Sequence, residues 1–165
     1  MISGTMRRGS NMCSKSLLFV VALALGAGTA RAELGAKEDS VEADRQAFSL
    51  GSKTSTQTQG YTVHQMTRDG LTLWEFVGAD GTVFAVGWQG NAHPDLSKLL
   101  GNYFSEFSTT LQTTGRSPGR RSKQVTGNNV VVETWKALRV ARGLAYLPAA
   151  LPAGVTGADL GRQIQ

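Results

Sequence analysis

The chain has 165 residues, 17 Lys+Arg against 12 Asp+Glu, and one cysteine, which suits a single domain and excludes an internal disulfide framework. Its basic balance is carried by the N-terminus: Arg7, Arg8, Lys15 and Arg31 fall within residues 1–32 with no acid beside them, so the rest holds 13 basic against 12 acidic residues. A global electrostatic case for binding nucleic acid or an anionic membrane goes with that segment.

Residues 1–32 read as an export signal. Arg7, Arg8 and Lys15 form a basic region, Leu17 to Leu25 an apolar run too short to span a bilayer, and Ala30-Arg31-Ala32 a small-residue cleavage site. Met12 is an alternative start that leaves a compact basic region. Cys13 precedes the apolar run, so it is not placed as a lipid-modified cysteine, and cleavage would remove it. The expected destination is the periplasm or the extracellular medium, with no integral membrane span in the mature chain.

Residues 33–60 read as a short helix and a tether. Asp39 to Phe48 can form a helix with Asp39 as cap, Glu42 reaching back, and a thin apolar side of Val41, Ala47 and Phe48. Ser49 to Gly60 is rich in Ser, Thr, Gln and Gly, the composition of a flexible link.

Tyr61 to Tyr146 carries the fold. Tyr61–Arg68 and Leu71–Val77 are strands around Asp69-Gly70, the dipeptide of a two-residue type I′ hairpin. Gly78-Ala79-Asp80-Gly81 marks a second turn before a third strand, Thr82–Trp88. This register sets Arg68 opposite Leu71, Met66 opposite Leu73 and His64 opposite Glu75. One sheet face then holds Met66, Leu71, Leu73, Val77, Phe84, Val86 and Trp88; the other holds Tyr61, Val63, Trp74, Phe76, Val83 and Ala85. Both faces are apolar, so both need cover.

Pro94 and Asp95 open a long helix, Pro94–Thr113, with Gly115 as its stop. Leu96, Leu99, Leu100, Tyr103, Phe104, Phe107 and Leu111 line one side of it at helical spacing. Arg116, Arg120, Arg121 and Lys123 then make a basic stretch that reads as a solvated loop rather than an anion patch, since no aromatic interleaves. Val130–Thr134 is a strand. Leu138–Tyr146 is another, and Arg142 on its apolar parity suggests an edge position. Pro148 and Pro152 end regular structure, leaving 148–165 as a tail. The expected class is α+β: a two-layer domain at 61–147 with an antiparallel sheet of about five strands in the order β-β-β-α-β-β, packed on one long amphipathic helix.

The stretches YTVHQMTRDGLTLWEFVGADGTVFAVGWQG, PDLSKLLGNYF and LAYLPAALPAGV resemble a bacterial family catalogued as domain of unknown function 2844. That resemblance covers most of the chain after residue 33. It implies a small exported protein with one compact domain and supplies no catalytic residue.

The residues themselves offer little chemistry. His64 facing Glu75 is a candidate base oriented by a carboxylate, against the plainer reading of a cross-strand polar pair. His93 before Pro94 reads as a helix-entry residue. The two histidines show no H-x-x-x-H or H-E-x-x-H spacing, so no metal site and no cofactor is expected. Gly78-x-x-Gly81 leads into a strand, not into the helix that a phosphate cradle requires. The surplus aromatic face makes Tyr61, Trp74 and Phe76 candidate binding residues for a protein or envelope component. The expected function is a non-catalytic exported binding module. The alternatives are a small hydrolase or transferase using His64 with Glu75, and a self-associating envelope structural protein.

Overall fold

The computed structural model describes Met1 and residues 34–58, 60–114 and 121–165. The expected signal segment after Met1, together with Gly115, Arg116 and Arg120, lies outside the described residues. After a helix at Ser40–Ala47 (α1), the chain forms strands Ser52–Thr58 (β1), Tyr61–Arg68 (β2), Leu71–Gly78 (β3) and Val83–Gly90 (β4). It continues through Leu96–Leu100 (α2), a 3-10 turn at Gly101–Tyr103 and Phe104–Thr113 (α3). Ser122–Thr126 (β5), Val131–Ala137 (β6) and Val140–Tyr146 (β7) complete the strands, and Gly157–Gln163 (α4) follows.

All described strands join one antiparallel sheet of seven, in the order β1-β2-β3-β4-β7-β6-β5. The chain leaves β4, crosses a face through α2 and α3, enters the far edge as β5, and works back until β7 pairs with β4. Two meanders therefore meet at the centre of the sheet.

The expected sheet of about five strands with one long helix is thus corrected: the protein is a seven-stranded sheet with short helices, mostly β. Both added strands are edges. β1 occupies the expected tether; all its positions are exposed, yet it pairs with β2 from Ser52↔Thr67 to Thr58↔Tyr61. Polar side chains on both faces suit an edge strand that must not recruit another chain. β5 falls in the expected basic loop and buries only Val125 outright. By contrast β7, expected at an edge, is central between β4 and β6.

The long helix is interrupted because Gly101 takes φ 48° and ψ −118°, a conformation open to glycine and costly for other residues. Its start also differs: Asp95 is the cap, its side chain accepting from the Ser97 N–H at 3.0 Å. Leu99, Leu100 and Phe107 are buried against the sheet, while Phe104 is half-buried. In α1, Asp39 makes no side-chain cap, and Glu42 pairs with Arg45 instead.

The β2–β3 register matches the expectation, with Arg68↔Leu71, Met66↔Leu73 and His64↔Glu75 paired. The turn type does not: Gly70 takes φ 75°, but Asp69 is not at positive φ, so the turn is not type I′. The β3–β4 register shifts between Phe76↔Ala85 and Val77↔Val83. The extra residue there is Phe84, a β-bulge that exchanges the expected faces of Val83 and Phe84.

Each face has its own core. The first packs Met66, Leu73, Val86 and Trp88 beneath α2 and α3, with Val41 of α1 and Phe48 beside them. The second packs Tyr61, Phe76, Phe84 and Leu144 beneath Leu160 and Ile164. The expected loose tail is therefore a lid. Thr156 caps α4 in a capping box with Asp159, and Leu160 and Ile164 are fully buried. No helix among the described residues is long and apolar enough to cross a membrane.

Candidate functional site

The hairpin register places His64 and Glu75 side by side on the first face, under α1. Both are buried, at 3% and 1% exposure. They are not hydrogen-bond partners of one another. His64 Nδ1 lies 2.8 Å from Ser55 Oγ of β1, and Nε2 lies 3.1 Å from Glu38 Oε1. A carboxylate accepts only, so Nε2 carries the proton, and in the neutral ring Nδ1 then accepts from the Ser55 hydroxyl. Burial first, then the nearby Lys53 charge, favour that neutral ring by holding its pKa below the ordinary histidine value against the pull of Glu38.

Glu75 meets Asp44, which α1 turns inward beside Ser40 and Val41. No N–H or hydroxyl of the described residues reaches either Glu75 oxygen, so only a carboxyl proton can join the two acids. Burial pushes the Glu75 pKa up to about 7, opposed by the Asp44 hydrogen bond and then by Lys53. The result is a buried acid pair that holds α1 to the sheet. His64, with both nitrogens engaged, has no free site for abstracting a substrate proton. Among the described residues no group of three or more His, Cys, Asp or Glu is arranged to hold a metal ion. His93 accepts the Trp88 indole N–H on Nδ1 at 3.0 Å.

Tyr61, Trp74 and Phe76 all lie on the second face, where the bulge adds Phe84. Tyr61 and Phe84 meet edge to face at 5.7 Å, and Phe76 lies 6.2 Å from each of them. Tyr61 and Phe76 are buried, whereas Trp74 is half-buried at the margin of this core. The C-terminal segment covers them. Gln163 of α4 donates to the Tyr61 hydroxyl, and a Cβ on Gly87 would come within 2.7 Å of Ile164. Only glycine at that position lets the helix approach so closely.

Beyond this covered region the second face opens into a groove of about 1150 Å³ between α4 and the β6–β7 hairpin. Its floor is a row across three strands: Gln89 of β4, Arg142 of β7 and Trp135 of β6 stand opposite one another. Gly157, Ala158 and Gly161 of α4 form one wall, with the buried Ile164 just after the helix behind them. At the hairpin, Leu138 is fully exposed with φ 52°, and Val140 is 39% exposed. The Arg142 side chain is half-buried and makes no hydrogen bond or ion pair among the described residues. Burial raises the Glu133 pKa at this site, and Tyr146 nearby is raised by burial and then by the Glu133 charge.

The sequence reading did not identify this groove. Its signal is present in the chain: Arg142 sits on the parity of Val140 and Leu144, the pattern that suggests an edge strand. A cation on the apolar parity of a central strand instead marks a break in the face's cover.

A family model described as "Protein of unknown function (DUF2844)" matches residues 30–160. No curated protein and no solved structure matches the chain.

Proposed function

The chain belongs to the DUF2844 family, whose description assigns no activity, and from that premise we propose that it is an exported, non-catalytic binding module whose ligand seat is the groove between α4 and the β6–β7 hairpin. The observation that carries this reading is the groove itself: an open, largely apolar concavity with an unpartnered, half-buried arginine on its floor. The non-catalytic part is supported by His64, whose two nitrogens are both occupied and whose ring is buried. Export is supported by the basic region, the short apolar run and the Ala30-Arg31-Ala32 site. Tyr61 and Phe76 give way to the groove as binding candidates because the chain's own C-terminus covers them.

The test is retention of native envelope material by immobilised protein, comparing the wild type with Gly161→Trp. A Cβ at Gly161 meets nothing within 4 Å, so the larger side chain enters open space beside the groove. A component held by the wild type and lost from the variant is the expected result. Identical retained sets would contradict the assignment of the groove as the seat.

A further inference from the structure

We infer that the groove takes a single-chain amphiphilic anion, with its apolar chain along Trp135, Leu138 and Val140 and its carboxylate on Arg142; this rests on the reading of the groove as the ligand seat. Two demands meet at this place. The first is electrostatic. The Arg142 guanidinium carries donors in a fixed planar fork, none of which has a partner among the described residues, in a position only half open to water. Arg139, also on the lining, is unpartnered as well. Glu133 is the one acidic side chain on the lining, and its burial disfavours the charged form. Arg139 and Arg142 share the lining with Glu133 and the terminal residue Gln165, and the half-buried, unpaired Arg142 guanidinium on the floor is the cation that an occupant's head group meets.

The second demand is apolar. Trp135, Leu138 and Val140 line the same concavity, half-buried to exposed, and Leu138 is held in full exposure at the hairpin tip. A hydrophilic anion would answer Arg142 and leave these side chains wet. A purely apolar molecule would cover them and strip water from an unpaired guanidinium, a costly arrangement. A molecule with both an apolar chain and an anionic head answers both demands, and about 1150 Å³ is room for a chain rather than for a small polar ion. Carboxylate fits the planar fork in a bidentate way, which fixes the head and leaves the chain to run along the wall.

The probe is dodecanoate, titrated below its micellar concentration into the full chain and followed by calorimetry. Dodecyltrimethylammonium and dodecyl maltoside, of equal chain length, are the comparison ligands. Saturable one-to-one binding of dodecanoate is expected, weaker by at least about tenfold for either comparison head group and for Arg142→Gln. Arg142→Lys, which keeps the charge, is expected to recover part of the loss, and Gly161→Trp to abolish binding. Unchanged melting temperatures establish that the variants fold.

Equal affinity for the three head groups, or binding that Arg142→Gln leaves unaltered, would overturn the inference. Binding to phosphatidylglycerol vesicles without binding of dodecanoate would do the same, because it points to a membrane surface rather than a free molecule. If dodecanoate fails while Gly161→Trp still removes an envelope component, the ligand class is wrong and the seat stands. If both fail, the seat falls too.

Discussion

A carboxyl group at 1% exposure with another carboxyl beside it settles its charge by protonation rather than by solvation. Burial raises the Glu75 pKa from an ordinary 4.5 to about 7, so the folded chain holds that proton more tightly than the unfolded chain does. The stability from this proton is complete below the unfolded value and is lost as pH rises through about 7. At about 1.4 kcal/mol per unit of displacement, the loss is on the order of 3 kcal/mol. His64 works in the opposite sense: its folded value is depressed, so its contribution is present above the ordinary histidine value and is lost as pH falls below it. The two slopes oppose one another, and Glu75→Gln separates them. Relative to the wild type, this variant is expected to gain a few kcal/mol between pH 4.5 and pH 8 in urea melts, because an amide beside Asp44 has no charge to acquire. A difference that does not change with pH would contradict the protonated pair.

At the scale of elements, α4 is the piece that turns an apolar sheet face into a closed core. Ile164→Ala is expected to cost about 2–5 kcal/mol, the range for removing a buried aliphatic chain, because Ile164 is fully buried over Gly87. A loss below about 0.5 kcal/mol, the level of an ordinary surface change, would show that α4 does not seal the face. On the other face, Phe107→Ala is expected to cost more than Phe104→Ala in the same melts, since Phe107 is 7% exposed and Phe104 only half-buried. The reverse order would place the interruption at Gly101 wrongly. Much of this was legible beforehand: apolar alternation and two glycine turns located β2 to β4, and the hairpin register put His64 across from Glu75. β1 was hidden because a polar edge strand is held by backbone pairing and has no apolar period to read. The lid was hidden differently. Thr156 with Asp159, and Leu160 with Ile164 four residues later, are a helix start and an apolar pair, but the prolines before them suggested an ending. His64 facing Glu75 was legible as a pair, yet the partners that decide its chemistry come from distant elements, Glu38 and Asp44 near α1 and Ser55 on β1.

For the molecule as a whole, the two meanders form one sheet whose inner strands are covered on both faces by the segments packed on them, with a groove left open beside α4. The proposed export carries its own test: cleavage after Ala32 would give a mature chain that begins at Glu33. Intact-mass spectrometry of exported material reads this directly, and a mature form retaining Leu17–Leu25 would oppose it. Where a ligand sits distinguishes a binding module from an enzyme built on His64. The decisive measurement is amide chemical-shift mapping of the folded chain as native envelope extract is added. Saturable shifts are expected along Gln89, Arg142 and Trp135 and through Gly157–Gln163, with His64 and Glu75 unmoved. Shifts centred on His64, Glu75 and Ser55, with the groove silent, would contradict the groove as the seat of function.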